Sequence, residues 1–154
     1  MNDNESRLKE LGLSIPRIPP AAGAYVPAVR AGNLVFCSGQ GPFKDGKFVY
    51  TGLVGSDLTL EEGYDAARLS ALNCLAEICS IAGSVNNIVR VVQVRGFIAS
   101  APGFHDQPRV LNGASELLIG VFGEAGRHAR SAIGTSALPK NTPVEVEMVV
   151  EVKP

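Results

Sequence analysis

The nine residues VEVEMVVEV at positions 144–152 alternate in a way that only an extended strand can use. Successive side chains of a strand point to opposite faces, so Val144, Val146, Met148, Val150 and Val152 share one side, and Glu145, Glu147, Val149 and Glu151 share the other. The first side needs apolar cover. The second suits water, or a second subunit across a partly polar interface.

Cover is available from DLTLEEGYDAARLSALNCLAEICSIAGS, the clearest helical pattern in the chain. Leu60, Tyr64, Ala67, Ala71, Leu75, Ile78 and Ala82 recur at spacings of three and four, Thr59 and Glu62 form a capping box, and Gly83 supplies a stop. A second helix is expected from about Asp106 to Phe122. Asp106 is its N-cap, Pro108 lies in the first turn, and Val110, Ala114, Leu117 and Val121 share a stripe before Gly123.

The other segments read as strands. YVPAVRAGNLVFCSGQ gives two around a Gly-Asn turn, KDGKFVYTG repeats the signal at Asp-Gly, and IVRVVQVRGFIAS is rich in β-branched residues. The stretch GRHARSAIGTSALPKNTPVEVEMVVEV reads as a final hairpin with a proline-marked turn. The order strand, strand, strand, helix, strand, helix, strand, strand predicts an α+β domain, a mixed sheet with two helices packed on one face.

A chain of 154 residues supports one core, burying roughly 70% of its unfolded surface. Residues 24–154 are expected to form that domain, with residues 1–23 as an N-terminal arm: a short amphipathic piece, ESRLKELGL, then SIPRIPPAAG, where prolines favour an extended chain.

Several function classes are disfavoured. No apolar run approaches the roughly 20 residues of a membrane span. The acidic N-terminus lacks the basic-then-apolar pattern of a secretory signal, so a cytoplasmic location is expected. Cys37, Cys74 and Cys79 are odd in number and fit no metal spacing, which reads as reduced thiols and no metal site. Net charge is −1, aromatic residues are 6% of the chain and there is no Trp; with Lys and Arg scattered, nucleic acid is an unlikely partner. There is no Ser-His-Asp order and no glycine-rich nucleotide fingerprint. Taken singly, Arg130, Glu145 and His128 read as ordinary exposed strand residues.

Longer motifs say more. AGAYVPAVRAGNLVFCSGQGP, the capped helix, and ARSAIGTSALPKNTPVEVEMVVEV together resemble the Rid (reactive intermediate deaminase) or YjgF family, once described as L-PSP endoribonucleases, over about residues 20–152. VLNGASELLIGVFGEAGRHARSA looks like a subgroup of longer members. The resemblance implies a chorismate-mutase-like fold, a homotrimer with sites between subunits, and hydrolysis of enamine/imine intermediates such as 2-aminoacrylate to 2-oxo acids and ammonia. It implies no cofactor and no metal.

Carried over by position, Arg130 matches the arginine that grips a substrate carboxylate, a task suited to a planar two-pronged donor. Glu145 matches the acid that positions or activates water. Tyr25 and Ser38 match site residues that orient substrate and water, while Gly39 and Asn112 fall where backbone groups line the cleft. Ala132 stands where many members carry cysteine, which bears on substrate preference, and the loop ASAPGFHDQ is placed to reshape the cleft mouth. The alternatives are a non-catalytic module that binds small carboxylates and, lower in rank, an endoribonuclease, which would need a basic groove.

Overall fold

The computed structural model describes residues 3–17 and 23–154. Its elements are α1 (Asn4–Glu10), β1 (Ala28–Ala31), β2 (Leu34–Gln40), β3 (Phe43–Lys44), β4 (Lys47–Phe48), α2 (Leu60–Ala82), β5 (Ile88–Ala99), α3 (Gln107–Phe122), β6 (Ala129–Thr135) and β7 (Val144–Val152). Five strands form one mixed sheet in the order β1-β2-β7-β5-β6, and β3 and β4 form a separate hairpin. The alternating segment is thus an inner strand. Val144, Val146, Met148, Val150 and Val152 are buried under α2, and the other face keeps intermediate exposure.

The turn signals hold for the first two hairpins. β1 and β2 pair antiparallel around Gly32, whose φ of +61° suits glycine, and β3 and β4 turn at Asp45 and Gly46, both at positive φ. The last hairpin is a correction. β6 pairs with β5 in parallel, and β7 lies on the other side of β5, antiparallel to it. A helix between two strands is the connection that parallel pairing requires, so β5, α3 and β6 form a crossover unit and β6 takes the sheet edge. The proline-marked stretch is then a crossing rather than a hairpin turn. It passes the end of β5 with Lys140 and Asn141 at φ of 56° and 58°.

α2 begins with the expected reciprocal capping box of Thr59 and Glu62. Asp106 occupies the cap position of α3 but makes no cap hydrogen bond; at φ −93°, ψ 27° its backbone is not extended, so the carboxylate is not aimed at the first turn. It pairs with Arg109 at 3.6 Å instead. The two long helices approach closely, and a Cβ added at Gly113 of α3 would lie 2.0 Å from the carbonyl oxygen of Tyr64 on α2.

The amphipathic N-terminal piece is α1, and it packs on the body. Leu8 is 3% exposed within the core, Asn4 donates to the carbonyl of Val85 at 3.0 Å, and Arg7 donates to that of Val121 at 3.3 Å. Residues 18–22 of the proline-rich piece lie outside the described residues. Among the described residues, no helix is long and apolar enough to cross a membrane.

Asn73 of α2 ties the end of β2 to the small hairpin. It is 5% exposed, and its amide donates to the carbonyls of Gly41 at 2.8 Å and Phe43 at 2.9 Å. Asn73→Ala leaves both carbonyls without these donors, and the expected loss is about 2 kcal/mol, read from the urea unfolding midpoint.

Candidate functional site

β6 carries Arg130 at the sheet edge, and the register decides which way it points. Arg130 aligns with Val94 of β5, and Val94 aligns with Met148 of β7; the last two are buried under the helices. Arg130 is therefore on the helix-covered face. Its guanidinium reaches α3, where Nη1 donates to Asn112 Oδ1 at 2.7 Å and to Ser115 Oγ at 3.2 Å, and Nη2 donates to the carbonyl of Pro108 at 3.4 Å. A guanidinium has five N–H donors, so Nε and the second hydrogen of Nη2 remain. Those two lie on one edge and form the fork that takes a carboxylate with two parallel bonds. Among the described residues no acid forms an ion pair with Arg130.

Behind Arg130 stands a histidine. His128 Nε2 is 2.9 Å from Ser115 Oγ, and its Nδ1 is 2.6 Å from the carbonyl oxygen of Gly126. Burial lowers the His128 pKa and the nearby Arg130 charge lowers it further, against the opposite pull of the Gly126 bond. The ring is therefore biased toward its neutral form.

Glu145 belongs to a different cluster. It aligns with Phe97 on the open face of the sheet, and its carboxylate lies over Gly39, where an added Cβ would come within 2.1 Å of Oε1. Only glycine leaves room for the carboxylate in that position. The strand is bulged here: Cys37 aligns with Met148 and Gln40 with Val146, so Ser38 and Gly39 both sit opposite Glu147. Ser38 is pinned to the chain before β1, its hydroxyl donating to Val26 at 2.8 Å and its N–H to Pro27 at 2.7 Å. Tyr25, 53% exposed, lies just upstream on that same segment. Burial raises the Glu145 pKa, and the negative charge of Glu147 adds to it.

The residues singled out in the sequence thus fall into two groups. Arg130 and Asn112 meet, and Asn112 does so through its side chain rather than its backbone. Glu145, Gly39 and Ser38 form the second group, with Tyr25 in the bend that precedes β1. The groups do not meet within the chain. β6 and β7 flank β5, which puts them about 10 Å apart, their side chains leave opposite faces, and Arg130 and Glu145 align with positions three residues apart on β5.

Ser115 and the contact role of His128 were missed. The available signals were local: His128 precedes Arg130 by two on one strand face, and Ser115 follows Asn112 by three on one helix face. Ala132 shares the Arg130 face and packs against the core. The loop after β5 is tied to the start of α3 by Gln107, which donates to the carbonyl of Phe104 at 2.8 Å.

The chain as a whole is similar to known proteins. The family described as "YjgF/chorismate mutase-like, putative endoribonuclease" matches residues 5–152. The chain belongs to the YjgF/chorismate mutase-like family. A protein of unknown function from Agrobacterium tumefaciens superimposes with a TM-score of 0.88 at 45% identity, covering 97% of this chain and 91% of that one. Protein TCP17 of Trypanosoma cruzi is 40% identical over 95% of this chain and 92% of its own length. A 2-iminobutanoate/2-iminopropanoate deaminase of Dermatophagoides farinae is 28% identical, over 92% of this chain and 95% of its own length. The YjgF fold therefore agrees with the α+β reading, including the helices on one face of the mixed sheet.

Proposed function

We propose that this YjgF-family protein hydrolyses enamine/imine intermediates of the 2-aminoacrylate type to 2-oxo acids and ammonia, in clefts between the subunits of a homotrimer. The observation that carries the reading is the free edge of Arg130. A guanidinium held from behind by α3, with two donors left and no acid paired with it among the described residues, is prepared for the carboxylate of a small molecule.

The chemistry follows from the second group. The enamine first becomes the imine as a proton moves from nitrogen to the methylene carbon. Water then adds to the imine carbon while Glu145 takes one of its protons and passes it to the nitrogen. When Glu145 carries the remaining hydroxyl proton to the amine, ammonia leaves as the carbonyl forms. A carboxylate whose pKa is raised by burial, and further by the charge of Glu147, is a stronger base than an ordinary one. Ser38 on β2, and Tyr25 on the segment to which Ser38 is hydrogen-bonded, orient substrate and water. Because the two groups lie on opposite faces, a neighbouring subunit has to bring its Glu145 group to Arg130. The open face is suited to such packing, since Val29, Phe36 and Ile133 are each 45% or more exposed on it beside the acids of β7. The deaminase relative supports this reaction class. No cofactor or metal enters these steps, and three free thiols fit a reducing, cytoplasmic compartment. Net charge of −1 gives little support to RNA as substrate.

The test is release of 2-oxo acid from freshly generated 2-aminoacrylate and its larger homologues. Wild type should accelerate it, and Glu145→Gln should lower kcat by about 10²-fold with little change in KM. The acid limb of kcat/KM should lie above about pH 4.3, the ordinary glutamate value, because activity is lost as pH falls through a raised pKa; Glu145→Gln should abolish that limb. Absence of acceleration by a folded trimer would assign the protein to carboxylate binding without chemistry.

A further inference from the structure

Arg130 is useful to a substrate only if its free edge points the right way, and the side chain has four rotatable bonds with which to point elsewhere. Two acceptors on α3 fix one end of the guanidinium, and one of them, Ser115, is itself held. The hydrogen positions along this chain follow from what each atom can do. A backbone carbonyl only accepts, so His128 Nδ1 carries the hydrogen it gives to Gly126 at 2.6 Å. In the neutral ring Nε2 is then a bare acceptor, and the Ser115 hydroxyl 2.9 Å away donates to it. Arginine only donates, so its bond to Ser115 Oγ at 3.2 Å uses one of the serine's lone pairs.

We infer that His128 and Ser115 are positioning residues, and that the chain of hydrogen bonds from the Gly126 carbonyl through His128 and Ser115 to Arg130 sets the plane in which the guanidinium offers its free edge to a carboxylate. The inference rests on the reading that Arg130 receives the substrate carboxylate. Burial matters to it: Ser115 is 9% exposed, so its hydroxyl has little water to turn to and its direction is set by the protein. Remove the bare acceptor at Nε2, and the hydroxyl becomes free to take the Leu111 carbonyl four residues back, the usual partner of a helical serine. The guanidinium then keeps Asn112 as its only well-formed anchor and can swivel, and binding has to order it again.

The probe is 2-oxobutanoate, whose affinity is measured by calorimetry beside that of its uncharged amide. Ser115→Ala and His128→Ala should each weaken 2-oxobutanoate about five- to tenfold, with the amide little affected. His128→Gln, which sets an amide oxygen near the position of Nε2, should stay within about twofold of wild type. Equal loss in His128→Gln and His128→Ala overturns the acceptor role. Wild-type affinity in Ser115→Ala and His128→Ala, with binding lost in Arg130→Ala, overturns the relay and leaves the carboxylate site standing. Undiminished binding in Arg130→Ala removes the site reading itself. Nitrogen NMR of the wild-type trimer near neutral pH is independent of any folding defect in a variant. The Nδ1–H tautomer is expected for His128, and the Nε2–H tautomer or an imidazolium overturns the proposal.

Discussion

Arg130→Ala is expected to lower kcat/KM toward 2-aminoacrylate by about 10²- to 10⁴-fold. Two charge-assisted hydrogen bonds to a carboxylate are worth about 1.5–3 kcal/mol each, and each 1.36 kcal/mol is a factor of ten in rate. Arg130→Lys should recover little of this. A lysine ammonium restores the charge but not the paired geometry, and Asn112, Ser115 and Pro108 are spaced for a planar fork. Because Arg130 stands at the exposed sheet edge, its replacement should leave thermal stability close to wild type, so melting curves separate loss of binding from loss of fold. Full activity in Arg130→Ala would remove the proposed reaction.

The second large effect is on stability. Gly113→Ala places a methyl carbon 2.0 Å from the Tyr64 carbonyl oxygen and 3.3 Å from the Arg68 nitrogen, both backbone atoms of α2. Neither can rotate aside, so the two helices must separate, and the expected destabilisation is about 3 kcal/mol, read from urea unfolding. Alanine's better helix propensity returns only about 1 kcal/mol of a larger gross cost. Gly120→Ala in the same helix is the control. Its added carbon meets the tip of Leu11 at 3.2 Å, which can move, so that variant should be neutral or more stable. Similar losses in both would mean that close helix packing is not the cause. The damage in Gly113→Ala should also reach Arg130, since Asn112 and Ser115 flank this glycine on the displaced helix.

The parts of the fold legible in the sequence are those with a strong local period. The phase of β7 follows from the placing of Glu145, Glu147 and Glu151 all on one face, and α2 from its stripe and the reciprocal cap of Thr59 and Glu62. Pairing partners are less local. The segment after Arg130 runs into the β7 sequence through a proline-marked turn and so looks like a hairpin, yet a strand's partner depends on what precedes it as well. α3, standing between β5 and β6, was the signal for a parallel pair. The cap at Asp106 failed for a smaller reason, because residue type alone does not fix the backbone conformation that aims a cap.

The site was less legible than the fold. Arg130 and Glu145 stood out by resemblance rather than by spacing, and nothing local tells that their side chains leave opposite faces. Glu145 takes its face from the alternation of β7, but Arg130 takes its face from Val94 across a parallel pair that the sequence does not announce. The Ser115–His128 contact joins a helix to a strand end and becomes visible only once α3 has been docked.

The separation of Arg130 from Glu145 on the two sides of one sheet has a consequence for behaviour at low abundance. On the proposed reading a solitary chain holds two halves of different sites and completes neither, so catalysis begins with association and not with folding. On dilution below the association threshold, turnover should fall more steeply than in proportion to the amount of protein. Newly made chains would stay silent until they are numerous enough to find one another.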